Sequence, residues 1–334
     1  MKIAVRAPNW IGDAVLSLPA LASLQAAFPK AEIRVIARDW VKELFVSGTP
    51  AAGVIDLPDD RSLGGLRAAA RCLRQERFDL GLLLTNSFGS ALLFSLARIP
   101  ERWGYKRDGR GVLLTKGVNL EEGGPAVHHA DYYLRLVRGL GLKTIPPSIR
   151  LSLTAAEKKA GRKLLDSLGL IGKKPLVILN PGASYGPAKR WPAANFAALG
   201  TLLQNKMSCQ ILVTGSAEEA GLAQSLAGAM PRKPVLLSGR TNLRQLLGVL
   251  AQADLFITND SGPMHLANAL SVPVIGLFGP TEPAVTRPFQ RPSTVIWKGA
   301  VCWPCLYRSC PYGHECMTAI TPEEVLEAAG RYIR

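Results

Sequence analysis

The chain predicts an α/β protein built from two doubly wound, Rossmann-like domains, and three observations carry that expectation. Short runs of Leu, Ile and Val alternate with helix-length amphipathic segments along most of the 334 residues. The runs are apolar throughout instead of alternating with polar residues, which is what a parallel strand covered by helices on both faces requires. The pattern weakens at the extended stretch Lys143-Thr144-Ile145-Pro146-Pro147 and then restarts. A chain of this length is also too long for one ordinary core. The expected division is 1–153, 154–320 and a terminal helical segment, 321–334, packing back on the first domain. The two domains are expected to face each other across a cleft.

In the first half, residues 2–6 read as a strand and 14–27 as the helix that follows. Residues 32–37 form a second strand and 54–57 a short third. Residues 62–77 are a helix, and 79–84 (DLGLLL) a strand buried on both faces. In the second half, strands are expected at 175–179, 209–214, 235–237, 255–258 and 274–278. Helices are expected at 193–203, 217–229, 243–251 and 264–270. The last helix, 322–332, has Thr321 to cap it, Pro322 at its first position, and Glu323 and Glu324 in its first turn. Ligands of such sheets bind outside the carboxyl ends of the strands, so the loops there are where chemistry is sought.

The net charge is +15 and the pI near 9.8. An anionic partner is expected, whether nucleic acid, an anionic membrane surface or a phosphorylated substrate, with general solubility as the alternative reading of the charge. The excess is +7 through residue 150 and +8 beyond it, with no basic tail or arm of the kind nucleic-acid binders carry. No stretch approaches the roughly 20 apolar residues that span a bilayer. The opening Met1-Lys2 imitates a signal peptide, but Asp13 interrupts its apolar run, so a cytoplasmic protein is expected. Of six cysteines, Cys72 and Cys209 stand in apolar surroundings and are expected to be buried.

Three loops carry chemistry-bearing residues. Pro8-Asn9-Trp10-Ile11-Gly12-Asp13 follows the first strand, and its aspartate is either a helix cap or a functional carboxylate. It lacks the spaced glycines of a dinucleotide fingerprint. The second loop, 180–192, holds two glycines, small polar residues and the pair Lys189-Arg190 ahead of a helix. Backbone N–H groups and fixed positive charge there suit a phosphate, and a long surface loop with solvated cations is the alternative. The third, 258–265, sets Ser261 and Gly262 where helix-terminal N–H groups would meet a diphosphate. Asp260 would accept from sugar hydroxyls and His265 would donate to one; a capping Asp-Ser pair with a buried histidine is the structural alternative. The loop 278–283 ends a further strand at the same edge.

In order and spacing these loops resemble the ADP-heptose:lipopolysaccharide heptosyltransferases, glycosyltransferase family 9, over nearly the whole chain. The Pro-Asn-Trp-Ile-Gly-Asp start and the cysteine-rich end are most similar to its heptosyltransferase II branch. The resemblance implies the GT-B arrangement and an inverting transfer of heptose from ADP-heptose to the first heptose of the lipopolysaccharide inner core. It puts the catalytic base on Asp13 and the phosphate-contacting cation on Lys189. The donor motif falls on Asp260, Ser261, Gly262 and His265. The ribose carboxylate falls on Glu219 or its neighbour Glu218, and the adenine region on Thr241. For the acceptor, Asn9 and the basic loop Arg102, Tyr105, Arg107 and Arg110 are the candidates; that loop would otherwise be a solvated surface. No Asp-x-Asp motif is present, and no cofactor is expected. The implied place of work is the cytoplasmic face of the inner membrane, reached from solution.

Cys302, Cys305, Cys310 and Cys316, with His314 among them, have ligand types that suit tetrahedral zinc. The second knuckle of a paired site is absent, so unbound or redox-sensitive thiols are favoured over structural zinc. Two rivals stand: another GT-B transferase, such as heptosyltransferase I or III, or a nucleotide-sugar epimerase; and, from a different class, a zinc-containing basic protein that binds nucleic acid. The second gives no reason for Asp13, Lys189 and the Asp260 loop together.

Overall fold

The computed structural model describes residues 1–120, 126–170, 172 and 174–333. The chain divides into two compact units, Met1–Ser152 and Leu153–Arg334. The first has six strands: β1 (Lys2–Arg6), β2 (Glu32–Ile36), β3 (Gly53–Ile55), β4 (Leu80–Leu83), β5 (Glu101–Tyr105) and β6 (Lys116–Val118). They lie in the order β3-β2-β1-β4-β5-β6, and every pairing is parallel. In the register, Val5 stands between Val35 and Leu82, all three buried. Between the strands run α1 (Ile11–Leu16), α2 (Leu18–Ala27), α3 (Asp39–Lys42), α4 (Leu63–Gln75) and α5 (Phe88–Leu96), with α6 (His129–Gly139) after β6.

The second unit repeats this plan. Its strands are β7 (Leu176–Asn180), β8 (Gln210–Val213), β9 (Val235–Leu236), β10 (Leu255–Asn259), β11 (Val274–Phe278) and β12 (Ser293–Trp297). Their order is β12-β11-β10-β7-β8-β9, again all parallel. The helices are α7 (Ala155–Ser167), α8 (Ala193–Lys206), α9 (Ala220–Ala229), α10 (Leu243–Leu250), α11 (Gly262–Ala269), α12 (Pro283–Thr286), α13 (Glu315–Thr318) and α14 (Pro322–Ala329). In each unit the chain winds outward from the first strand, then crosses back to wind the other way. The reversal falls between β1 and β4, and between β7 and β10. At such a reversal the adjoining loops run to opposite faces of the sheet, which is where ligands of doubly wound folds bind. The expected α/β, doubly wound class is what the chain adopts.

Several elements differ from expectation. The helix read over 14–27 is two helices joined at Ser17, whose hydroxyl donates to the Ala14 carbonyl at 2.8 Å, with Pro19 in the first turn of α2. The segment left without elements, 85–141, contains α5, β5, β6 and α6; β5 reads ERWGY, with no apolar run to mark it. The capping box that opens α7, Thr154 with Glu157, also went unread. Residues 321–334 were expected to pack back on the first domain. Instead α14 buries Val325, Leu326, Ala328 and Ala329 in the second unit's own core, against α8 and β11. Its apolar face completes the cover of that sheet. Cys209 is buried as expected but Cys72 is exposed, because it falls on the outer face of α4 while Ala69, Ala70 and Leu73 turn inward.

Candidate active site

In the first unit, the loops after β1 and β4 and the start of α6 surround a cavity of about 400 Å³. Asn9, Trp10, Asp13, Asn86, Arg107 and His129 are among its lining residues. The alternative for Asp13, a helix cap, fails on position. The cap of α1 is Trp10, which makes no side-chain capping bond, and Asp13 stands three residues into the turn. Its carboxylate instead meets His129, Nδ1 to Oδ1, at 2.8 Å. An ionised carboxylate only accepts, so the imidazole donates through Nδ1–H. Tyr133 lies behind the pair, and burial, with the Asp13 charge adding to it, pushes its phenol well above the ordinary value.

The basic loop of the first unit divides once it is folded. Arg107 is exposed and lines the cavity. Arg102 lies in β5 and donates to the backbone carbonyls of Leu113 (2.7 Å) and Ile99 (2.6 Å), fastening the strand's flanks. Arg110 is 0% exposed, so the expectation that it meets an acceptor is corrected: no ligand reaches it. Gly104 leaves the room it occupies, since a Cβ there would stand 3.0 Å from its Nη2. Arg110 donates to the Tyr105 carbonyl at 2.8 Å, to the Thr85 carbonyl and to Asn86 Oδ1 at 3.4 Å. Asn86 in turn donates to the Tyr132 hydroxyl at 2.7 Å. Burial lowers the Arg110 pKa to about 10, which leaves it charged at neutral pH. It therefore braces the cavity wall from behind.

In the second unit, Lys189 and Asp260 come together from the loops after β7 and β10, Nζ to Oδ2 at 2.5 Å, with side chains 12% and 5% exposed. Thr281 Oγ1 donates to the same oxygen at 2.7 Å, and Lys189 sits 4.9 Å from the centre of the Tyr185 ring. An ammonium has three N–H donors, so Lys189 keeps two beyond this pair. Ser261 caps α11 by position, Gly262 opens that helix, and His265 is buried in its first turn at 5% exposure. Glu219 closes a capping box with Ser216 at the end of β8, its Oε2 accepting from the Ser216 N–H at 2.9 Å. It lies directly over Gly182 and Gly215: a Cβ on Gly182 would overlap its carboxyl group. Glu218 points out to solvent, so Glu219 is the carboxylate at the crevice. Thr241 lies just beyond β9, in the loop whose Gly239 N–H donates to Gly215 O at 3.0 Å.

Two groups for which the sequence suggested no part in this loop hold its edge. Asn259, fully buried, donates to the carbonyls of Pro181 (2.8 Å) and Gly182 (3.2 Å) and accepts from the Trp191 N–H at 2.9 Å. It ties both ends of the 181–192 loop to β10. The cysteine-rich segment braces the same loop: Arg308 O accepts from Ala188 N–H at 3.0 Å, Leu306 O from the Tyr185 hydroxyl at 2.5 Å, and His314 Nε2 donates to Ala188 O at 2.7 Å. The four cysteines lie near enough to feel one another. Burial, with Cys305, Cys310 and Cys302 adding, raises the Cys316 thiol to about 11. All four are free thiols, and among the described residues no group of three or more His, Cys, Asp or Glu is arranged to hold a metal ion.

A carboxylate at one reversal point, and a glycine-rich loop with a fixed cation at the other, are groups that suit an enzyme acting on a phosphate-bearing substrate. Comparison narrows the class. The model of glycosyltransferase family 9 (heptosyltransferase) matches residues 66–315. The lipopolysaccharide heptosyltransferase 2 of Salmonella typhimurium is 31% identical over 98% of this chain and 97% of its own. The lipooligosaccharide heptosyltransferase 2 of Haemophilus influenzae is 30% identical over 89% and 88%. The solved structure of the ADP-heptose LPS heptosyltransferase II of E. coli covers 99% of this chain and 98% of its own, at 30% identity and a TM-score of 0.85. The chain belongs to glycosyltransferase family 9. It is a transferase of glycosyl groups, and the nucleic-acid-binding alternative falls away.

Proposed function

We propose that the chain transfers heptose from ADP-heptose to the first heptose of the lipopolysaccharide inner core, with inversion at the anomeric carbon. What carries the proposal is the near full-length likeness to heptosyltransferase 2 relatives, combined with an Asp13 carboxylate standing in an open cavity. The acceptor hydroxyl attacks the anomeric carbon on the face opposite the diphosphate. The new C–O bond forms as the bond to phosphate breaks, and that electron pair leaves with ADP. A sugar hydroxyl is far less acidic than a carboxylic acid, so its proton passes to Asp13 Oδ2 as the C–O bond forms, not before. Lys189 and the N–H groups at the start of α11 stabilise the charge growing on the diphosphate. Asp260, Ser261, Gly262 and His265 hold the donor sugar and phosphates, Glu219 the ribose, and the Thr241 loop the base. Asn9 and Arg107 meet the acceptor.

Incubation with ADP-heptose and a core acceptor bearing one heptose should release ADP and give a product one heptose heavier by mass spectrometry. Extension of a heptose-free acceptor instead would place the chain in the heptosyltransferase I branch. No helix among the described residues is long and apolar enough to cross a membrane. The acceptor is anionic and lipid-linked, so the net charge of +15 would draw the protein to the membrane surface. Binding to vesicles of anionic lipid should fall sharply as salt rises, while transfer to a short soluble acceptor depends on salt much less. Equal binding to neutral and anionic vesicles would remove the charge from this role.

A further inference from the structure

We infer that His129 is a positioning residue for the transfer reaction, holding the Asp13 carboxylate in the orientation in which it takes the acceptor's proton. This rests on the assignment of Asp13 as base. The Asp13 backbone belongs to α1, which is six residues long, and its side chain has two torsions free to turn within the cavity. A carboxylate that turns presents either oxygen, or neither, to an incoming hydroxyl. The imidazole removes that freedom. Its Nδ1–H donates to Oδ1 at 2.8 Å, and among the described residues Oδ2 receives no hydrogen bond. One oxygen is therefore anchored and the other is left to the substrate.

The histidine is itself well anchored. It is the first residue of α6, and the residue before it, His128, caps that helix by accepting from the Ala130 N–H at 3.1 Å. α6 packs against both α1 and α2, so the two partners sit on elements that cannot drift apart. His129 keeps 39% of its side chain exposed and Asp13 25%, and both line the cavity. A histidine that merely filled the core would be buried, and one that capped a helix would face its own backbone. Here His128 does the capping and His129 reaches across to the other helix. A positioned group contributes through orientation, which is felt in the turnover step and not in donor binding.

The experiment compares kcat, donor KM and thermal midpoint for wild type, Asp13→Asn, His129→Ala, His129→Asn and the double variant Asp13→Asn/His129→Ala. An asparagine amide places an N–H near where Nδ1–H stood. His129→Ala should lower kcat by about 10- to 100-fold with donor KM within about twofold, and an unchanged midpoint separates this from misfolding. His129→Asn should return kcat to within about threefold of wild type. The double variant should be no slower than Asp13→Asn alone, since His129 acts only through that carboxylate. Wild-type turnover in His129→Ala while Asp13→Asn is inactive would overturn this inference and leave the assignment of Asp13 standing. Turnover persisting in Asp13→Asn would overturn both. Additive losses in the double variant would give His129 some role apart from Asp13.

Discussion

At the scale of single residues, the first unit offers a carboxylate and the second a cation that is already paired. Asp13→Asn keeps the shape of the side chain and its contact with His129 but removes the basic oxygen. Turnover should fall by roughly 10²–10⁴-fold, the usual contribution of a positioned base, with ADP affinity unchanged in calorimetric titration. Activity within a few-fold of wild type would reduce Asp13 to a structural partner of His129. Lys189 is paired with Asp260 and, on the proposed reading, also contacts phosphate, and one substitution disturbs both. Lys189→Ala removes a contact to phosphate, and ADP affinity should drop roughly 10- to 150-fold, as a charge-assisted bond of about 1.5–3 kcal/mol implies. It also leaves Asp260, 5% exposed, without its counter-ion. Breaking a buried pair this way costs on the order of 3–5 kcal/mol. The double variant Lys189→Met/Asp260→Asn should recover the thermal midpoint without recovering ADP binding. Joint recovery of both would show that Lys189 serves stability alone.

At the scale of elements, close packing decides where the loops can go. The 181–192 loop is tied to β10 by Asn259 and covered by the cysteine-rich segment, so a stretch with one short 3₁₀ turn of its own is held in place. Gly186 belongs to this arrangement: a Cβ there would overlap the Arg308 carbonyl. Helices α7 and α10 meet through Gly161 and Gly248, and a Cβ on Gly161 would overlap the Gly248 carbonyl. Alanine is ordinarily favoured over glycine inside a helix by about 1 kcal/mol. Here the overlap should outweigh that gain, with overpacking costing roughly 1–3 kcal/mol. Gly161→Ala should therefore lower the calorimetric midpoint, by roughly 2–4 °C per kcal/mol for a unit of this size. A raised midpoint would show that the helices part without cost.

At the scale of the whole molecule, two units of one topology carry different chemistry at the same structural position. The reversal between β1 and β4 holds Asp13, and the reversal between β7 and β10 holds Lys189 with Asp260. The donor nucleotide is assigned to the second. A ligand that binds only the folded state stabilises it by an amount set by its concentration over its dissociation constant, about 2.7 kcal/mol at a hundredfold excess. In a panel of ADP, UDP, GDP and CMP, ADP should raise the midpoint most, and Lys189→Ala should abolish the rise. A larger rise with UDP would change the assigned donor base while leaving the phosphate site where it is.

What the sequence determined by itself was whatever local composition encodes. Apolar runs such as LVIL in β7 and LFIT in β10 announced buried parallel strands. The strand-end loops then followed, and with them Asp13, Lys189 and Asp260. β5 was invisible to the same test, because ERWGY has no apolar run; α6 was legible, with Ala130, Tyr133, Leu134 and Val137 at helical spacing on one face, and was passed over. His129 went with them. Its partner lies 116 residues away, and no spacing rule joins the starts of two helices at that separation. The tertiary structure alone decided which charges face the cavity. Arg102, Arg107 and Arg110 read alike in sequence, yet only Arg107 is left facing the cavity. Arg102 is fastened to backbone carbonyls, and Arg110 is enclosed because Gly104 leaves space for it. Charge predicts exposure only until folding supplies enough acceptors to satisfy a guanidinium away from water, and where those acceptors lie is a property of the packed chain.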